Sequence, residues 1–404
     1  VAFVRSLSWA PLAGLALLAG VSAAAGSAQE LEIYCIDVGQ GDCTLLLSPT
    51  GLTWLFDIGT MGDERATIKH VANFLDSLGI DTLTYFGASH YHKDHIGLID
   101  ELIEDYGFSV RFFSYDRGWW YDTSYYWGYV RVLGDMRWEI EDGEVIDLGA
   151  GVTITCVAVN GNGQLSPPFD DQYSENDLCM ALVVNYGKFD FFVAGDLSGA
   201  NSTSYHDIET SVGPEVGDVD VYRVNHHGSR YSSNNYFLSC LQPEVAIISV
   251  GENSYGHPHA EAVDRINDYA VIYRTEDNEG NKVDGDIAII TDGLTYTVNG
   301  DLYECDYSAI EEERQIPPLR SSARVWPNPS FGTCWVAYET RTPGMVGIVL
   351  YDLAGRTVQR MGEGYRSPGE YEVGIDTHSL SSGIYFLRLE TPHGSSTVRI
   401  VTMR

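Results

Sequence analysis

The sequence predicts a layered α/β domain followed by a small β-sandwich. Three observations carry this reading. From residue 30 to about 303, strand-like apolar runs alternate with segments of helical apolar spacing. Several of these strands run directly into clusters of histidine and aspartate. Beyond about residue 325 only short alternating strands remain, separated by turn residues.

Taken in order, residues 1–28 have one basic residue, Arg5, then the apolar run Leu12–Val21 and small residues ending in "GSA". This predicts a secretory signal peptide, with an uncleaved membrane anchor as the alternative. After Ala28 no apolar run approaches the ~20 residues needed to span a bilayer. "LEIYCIDVG" and "CTLLLSP" flank the turn "QGD" and predict a hairpin, followed by the strand "LTWLFDIG". "ATIKHVANFLDSLG" has helical apolar spacing and a glycine stop. "TLTYFGAS" is a strand that enters "HYHKDH", and "HIGLIDELIEDYG" predicts one helix after it. The strands "VTITCVAV", "CMALVVNYG", "FDFFVAGD", "DVYRVNH" and "VAIISVG" and the helix "AEAVDRINDYA" complete the domain, residues 30–303. The aromatic stretch "FFSYDRGWWYDTSYYWGYVRVLGDMRW" reads as an insertion that packs on itself and on the domain. A rim that stacks on substrate is its alternative. Residues 304–324, charged and with Pro-Pro, read as a linker, and 325–404 as a non-catalytic β-sandwich.

The titratable clusters predict a metal site. If the chain stays extended past Ser89, His90 and His92 point the same way and can share one cation. Asp94 and His95, at the start of the next helix, face a second direction and can hold another. Asp196 ends an apolar strand and is placed to bridge the two. In "NHHGS", neighbouring residues on a strand point oppositely, so one histidine is expected as a direct ligand. His226 is favoured, with His227 behind it or toward substrate. His257, in a Gly-His-Pro turn before a helix, is assigned to substrate or transition-state stabilisation. Nitrogen ligands with carboxylates suit zinc, with manganese or iron as alternatives.

These motifs in this order resemble the metallo-β-lactamase superfamily. "HYHKDH" matches its HxHxDH signature, and "LFDIG" matches its early Asp-x-Gly strand end, which implies that Asp57 orients a ligand histidine. "IDVGQGDCTLL", "VAGD", "NHHGSRYSS" and "NSYGHPH" are similar to the soluble hydrolase domain of ComEC-type competence proteins and to related secreted phosphorylcholine esterases. Over about residues 31–300 the resemblance implies an αββα sandwich with two divalent cations at the sheet edge. It further implies a hydrolase in which an activated water attacks a phosphodiester, with Asp94 as ligand and water-orienting group. One departure is plain: no histidine occurs from Ile96 to Gly195, where many members place another ligand. Asn176 or Asp177, in "SENDLCMALVV", is the candidate substitute. "VWPNP", "LYDLAGRTV" and "SGIYFLRLE" resemble type IX secretion sorting domains, which implies export to the medium or the cell surface through outer-membrane secretion machinery.

The bulk composition narrows the partners. A formal charge of −33 repels polyanions and argues against sequence-independent binding along nucleic acid, which depends on Lys and Arg neutralising phosphates. It leaves open a metal site that cuts one phosphoester, in a small molecule or a nucleic acid. Amide or cyclic-ester hydrolysis, and a non-catalytic metal-binding surface protein, are the competing functions. Seven cysteines without a CxxC spacing argue against a zinc finger.

Overall fold

The computed structural model describes residues 30–165, 173–305 and 324–403, apart from short breaks at 341–343, 354–355, 367–368, 379 and 392–393. The expected signal peptide and most of the expected linker lie outside the described residues.

The larger domain contains strands β1 (Leu31–Cys35), β2 (Thr44–Leu47), β3 (Thr53–Phe56), β4 (Thr82–Gly87), β5 (Ser109–Asp116), β6 (Arg137–Glu139), β7 (Val145–Gly149) and β8 (Val152–Ala158). It continues with β9 (Ala181–Tyr186), β10 (Phe189–Ala194), β11 (Val221–Arg223), β12 (Val245–Ile248), β13 (Val271–Arg274), β14 (Ile287–Thr291), β15 (Thr295–Val298) and β16 (Asp301–Glu304). Its helices are α1 (Glu64–Ser77), α2 (Lys93–Ile96), α3 (Ile99–Glu104), α4 (Ser124–Leu133), α5 (Glu209–Val216), α6 (Asn235–Leu241) and α7 (Ala260–Asn267).

The strands form two sheets, in the orders β16-β15-β14-β1-β2-β3-β4-β5-β6 and β13-β12-β11-β10-β9-β8-β7. Side chains alternate along each strand, so each sheet feeds two cores. Trp54 and Phe56 of β3 meet Phe191 and Val193 of β10 between the sheets. Leu55 points the other way, to Ile68, Val71 and Leu75 of α1. Phe192 packs with Phe237 of α6 and Val212 of α5 on the far side of the second sheet. The result is the expected αββα sandwich.

Two local expectations change. The helix expected after "HYHKDH" is broken into α2 and α3. The Gly97 N–H closes α2 on Lys93 O, and the Leu98 N–H goes to Ile58 O instead of continuing the helix. The aromatic stretch is partly fabric of the sheet: β5 pairs in parallel with β4, and α4 follows it with Tyr126 and Tyr129 buried. Trp119, Trp120 and Trp127 remain about half exposed.

Residues 324–403 form a sandwich of a three-stranded and a four-stranded sheet around Val336, Ile348, Leu350, Leu387, Leu389 and Ile400. The seven cysteines form no disulfide. No helix among the described residues is long and apolar enough to cross a membrane.

Candidate metal centre

Parallel pairing puts the carboxyl ends of neighbouring strands side by side. β3 pairs with β4, and β10 with β11 and β11 with β12, all in parallel. The loops leaving these ends carry Asp57, the 89–95 segment, Asp196, Asn225–His227 and Ser249. Two glycines allow the close approach. A Cβ on Gly59 would strike the Asp94–His95 peptide, and one on Gly195 would strike Ser89 Oγ and come within 2.9 Å of His90 Nδ1.

Asp196 lies between two groups of side chains. Its Oδ1 is 3.2 Å from His95 Nε2 and 3.5 Å from His227 Nε2, and His227 Nε2 is also 3.5 Å from Asp94 Oδ2. Its Oδ2 is 3.5 Å from His226 Nε2 and 3.9 Å from His90 Nε2, which in turn is 2.9 Å from His92 Nδ1. The Asn176 amide nitrogen reaches the same Oδ2 at 3.2 Å. His95 Nε2, His227 Nε2 and Asp196 Oδ1 are buried and have no hydrogen-bond partner. Buried polar atoms are rarely left so. Three atoms of the kind that ligate metals, orphaned together, fit a cation. Asp42, His95, Asp196 and His227 form one cluster of possible ligands, and His90, His92 and Asp196 another.

The outer nitrogens of these rings are held. Asp57, fully buried, sets Oδ2 2.9 Å from His95 Nδ1, while its Oδ1 accepts the Ser89 N–H at 2.7 Å. Ser89 Oγ is 3.0 Å from His90 Nδ1. His227 Nδ1 is 2.9 Å from Ser249 O. These contacts turn each Nε2 toward Asp196.

The structure brings both His226 and His227 to the site. β11 ends at Arg223, and both histidines adopt left-handed backbone conformations, φ 51° and 52°. The strand alternation expected to turn one away does not operate there.

Electrostatics match the geometry. Burial opposes ionisation of Asp196, yet His226, His95 and His227 outweigh it and hold its carboxyl well below the usual range. Burial likewise works against the Asp94 anion, but the neighbouring His227 and His95 rings bring it down to about 2. Burial, reinforced by His95 and His92, drives the His90 ring well below its ordinary value, so it is neutral and able to act as a ligand. Burial, with His227 and His226 beside it, lowers His257 to about 3. The His257 ring centre is 5.1 Å from that of His226, and its Nδ1 is buried without a partner.

Sequence reasoning passed over three residues. Asp42, in the "QGD" turn, is buried, pairs with the buried Arg223 and lies 3.4 Å from His227 Nδ1. A carboxylate between two short apolar runs was the available signal. Arg117 and Glu175, a buried ion pair with the shortest contact 2.6 Å, had no local signature. The site opens into a cavity of about 550 Å³, with Tyr205, Tyr231, Tyr255, Arg230 and Met61 on its walls.

Residues 324–403 match the secretion system C-terminal sorting domain. The chain is 26% identical over 264 residues to ComE operon protein 3 of Bacillus subtilis, covering 62% of this chain and 32% of that protein. It is 27% identical over 241 residues to Recombination protein 2 of Haemophilus influenzae, covering 59% and 26%. It thus spans about a third or less of the curated relatives it matches. Among solved structures, it is similar to YhfI from Bacillus subtilis, a metallo-beta-lactamase fold protein, at 12% identity and TM-score 0.39 over 60% of this chain and 96% of that one. PorZ, a surface component of the type-IX secretion system of Porphyromonas gingivalis, matches 29% of this chain and 15% of its own, at 18% identity and TM-score 0.16. The chain, whose larger domain layers two sheets between helices, is therefore similar over about 60% of its length to ComE-type proteins, and its residues 324–403 match a sorting domain that marks it for export.

Proposed function

We propose that the chain is an exported hydrolase that uses two divalent cations, zinc favoured over manganese, to cleave a phosphodiester. The observation that carries this reading is the position of Asp196. Its two oxygens face two separate sets of imidazoles, as a carboxylate shared by two cations must. One cation would be held by Asp94, His95, His227 and Asp196, the other by His90, His92, Asp196 and His226, with Asn176 beside it. Bound there, the pair would lower the pKa of a water and offset charge on the phosphoryl oxygens.

The remaining steps belong to the protein. Asp94, held near 2, stays ionised and accepts a hydrogen bond from the attacking water rather than keeping its proton. His257 is uncharged at neutral pH, so it acts as an N–H donor to the phosphoryl or leaving oxygen, not as a fixed cation. Asp57 and Ser249 O hold the rings of His95 and His227. The type IX route is the proposed path of export.

The test combines metal content by mass spectrometry with turnover of bis-p-nitrophenyl phosphate, p-nitrophenyl phosphorylcholine, single-stranded DNA and a chromogenic cephalosporin, each with zinc or manganese. About two cations per chain, with phosphodiester turnover lost in Asp196→Ala, is expected. Cephalosporin turnover alone would shift the chemistry to amides. Metal uptake with no turnover on any substrate would make the centre structural.

A further inference from the structure

We infer that the buried Glu175–Arg117 pair is a positioning element for the His90–His92 half of the centre; this rests on the two-cation reading above. Both side chains are 3% exposed. Glu175 Oε1 accepts the Tyr91 N–H at 3.0 Å and the Arg117 Nε–H at 2.8 Å, and Oε2 accepts from Arg117 Nη2 at 2.6 Å. Tyr91 stands in the chain between His90 and His92, so holding its N–H fixes the His90–Tyr91 peptide plane, which adjoins the Cα of His90 and lies one residue before that of His92. Arg117 also lies over the Tyr91 ring, 4.4 Å from its centre, and the Tyr91 hydroxyl donates to Gly118 O at 2.8 Å. The next residue after Glu175 is Asn176, whose amide reaches Asp196 Oδ2. One carboxylate therefore ties the histidine loop, the start of the aromatic stretch and the turn that stands where the expected further histidine is missing.

Stability alone is a weak reason for such a pair. Buried ion pairs are often replaced by apolar residues without loss. A buried acceptor aimed at a backbone N–H between two metal-facing histidines is instead what positioning requires, and outer contacts of this kind commonly change metal affinity 10–100-fold. The effect is one-sided by construction. The other half of the centre is held by Asp57, Ser249 and Asp42, and among the described residues none of these is bonded to Glu175 or Arg117.

Cobalt(II) titration of the full chain, read by its visible absorption, tests this. His92→Ala and His227→Ala identify the binding step that belongs to each half. The double variant Glu175→Leu with Arg117→Met removes the acceptor and keeps an apolar core. It is expected to weaken the His92 step about 10–100-fold and leave the His227 step unchanged. Glu175→Gln with Arg117→Met restores an acceptor for the Tyr91 N–H and should bring the His92 step back. Near-ultraviolet circular dichroism reports folding. Should the leucine variant not fold, Arg117→Lys, which loses the two-armed grip but keeps the charge, is expected to weaken the same step by a smaller factor. Unchanged cobalt binding, loss of the His227 step, equal loss of both steps, or no rescue by glutamine overturns the inference. A wild-type isotherm with a single step sinks the two-cation reading instead. The inference then survives only if that step is weakened by His92→Ala and by the leucine variant alike.

Discussion

Replacing Asp57 with asparagine isolates one charge at the centre of the site. The residue is fully buried and sits at φ 59°, a left-handed conformation that asparagine adopts as readily as aspartate. Size and backbone are therefore unchanged. The amide oxygen can still accept the Ser89 N–H, now at 2.7 Å. The other arm becomes an NH₂ group facing His95 Nδ1, where the carboxylate lies at 2.9 Å. Nδ1 must then accept, and the ring proton moves to Nε2, the atom that faces Asp196. Loss of such a partner lowers metal affinity roughly 10–100-fold, or about 1.4–2.7 kcal/mol. The metal-free protein exchanges a hydrogen bond to a charged group for a neutral one, a net loss of about 1–1.5 kcal/mol. A control with the same chemistry lies on the surface. His70 Nε2 is 2.8 Å from Asp286 Oδ1, but the side chains are 43% and 26% exposed. Solvent screening limits that pair to about 1 kcal/mol or less. Zinc affinity by competition with a chromophoric chelator, and thermal unfolding in EDTA, measure both terms. Asp57→Asn binding zinc within about twofold of wild type, or Asp286→Asn weakening zinc as much, would refute the argument from the histidine's held nitrogen.

Gly195→Ala should cost about 1–3 kcal/mol in thermal unfolding, because its Cβ would strike Ser89 Oγ and crowd His90 Nδ1; wild-type melting would show that the loop can yield. Burial pushes the Glu209 carboxyl up to about 7 against an ordinary value of 4.5, despite the N–H groups of Asn234, Asn225 and Ser233 bonded to it. The folded chain thus keeps a proton that the unfolded chain releases between those values, so this group's contribution is full below 4.5 and is lost as pH rises to about 7, about 3 kcal/mol in all. Urea unfolding at pH 5 and pH 8 should show that Glu209→Gln removes this slope, whatever its effect at one pH; parallel curves for both proteins would contradict it. Tyr129→Phe should cost about 1–3 kcal/mol by denaturant midpoint, since the buried hydroxyl donates to Asp116 Oδ2 at 2.7 Å and shares a 2.6 Å bond with Ser114.

What could be read in the sequence, and what could not, divides along one physical line. The strands were legible because burial on both faces demands unbroken apolar runs, as in "FDFFVA", where Phe191 and Phe192 feed two different cores. Asp57, His90, His92, Asp94, His95 and Asp196 were legible as a cluster because each leaves the end of such a run, and parallel neighbours bring those ends together. His226 and His227 were harder. Their directions depend on two left-handed residues after β11, and no period-two or period-3.6 pattern encodes that turn. The split between α2 and α3 was hidden for a related reason: Leu98 gives its N–H to Ile58, about forty residues earlier in the chain, and a local pattern cannot report a distant acceptor. Asp42, Arg117 and Glu175 are the extreme case. Asp42 closes a glycine turn, Arg117 follows Asp116, and Glu175 lies in the polar run "SEND", so each reads as an ordinary surface residue. Only the fold shows that Arg117 and Glu175 neutralise each other and that Asp42 meets Arg223. The residues facing the proposed cations thus announce themselves by chemistry at strand ends. Those that hold them in place are fixed by contacts between segments far apart in the chain, so the way to find them is to ask which buried charge supports each ligand ring.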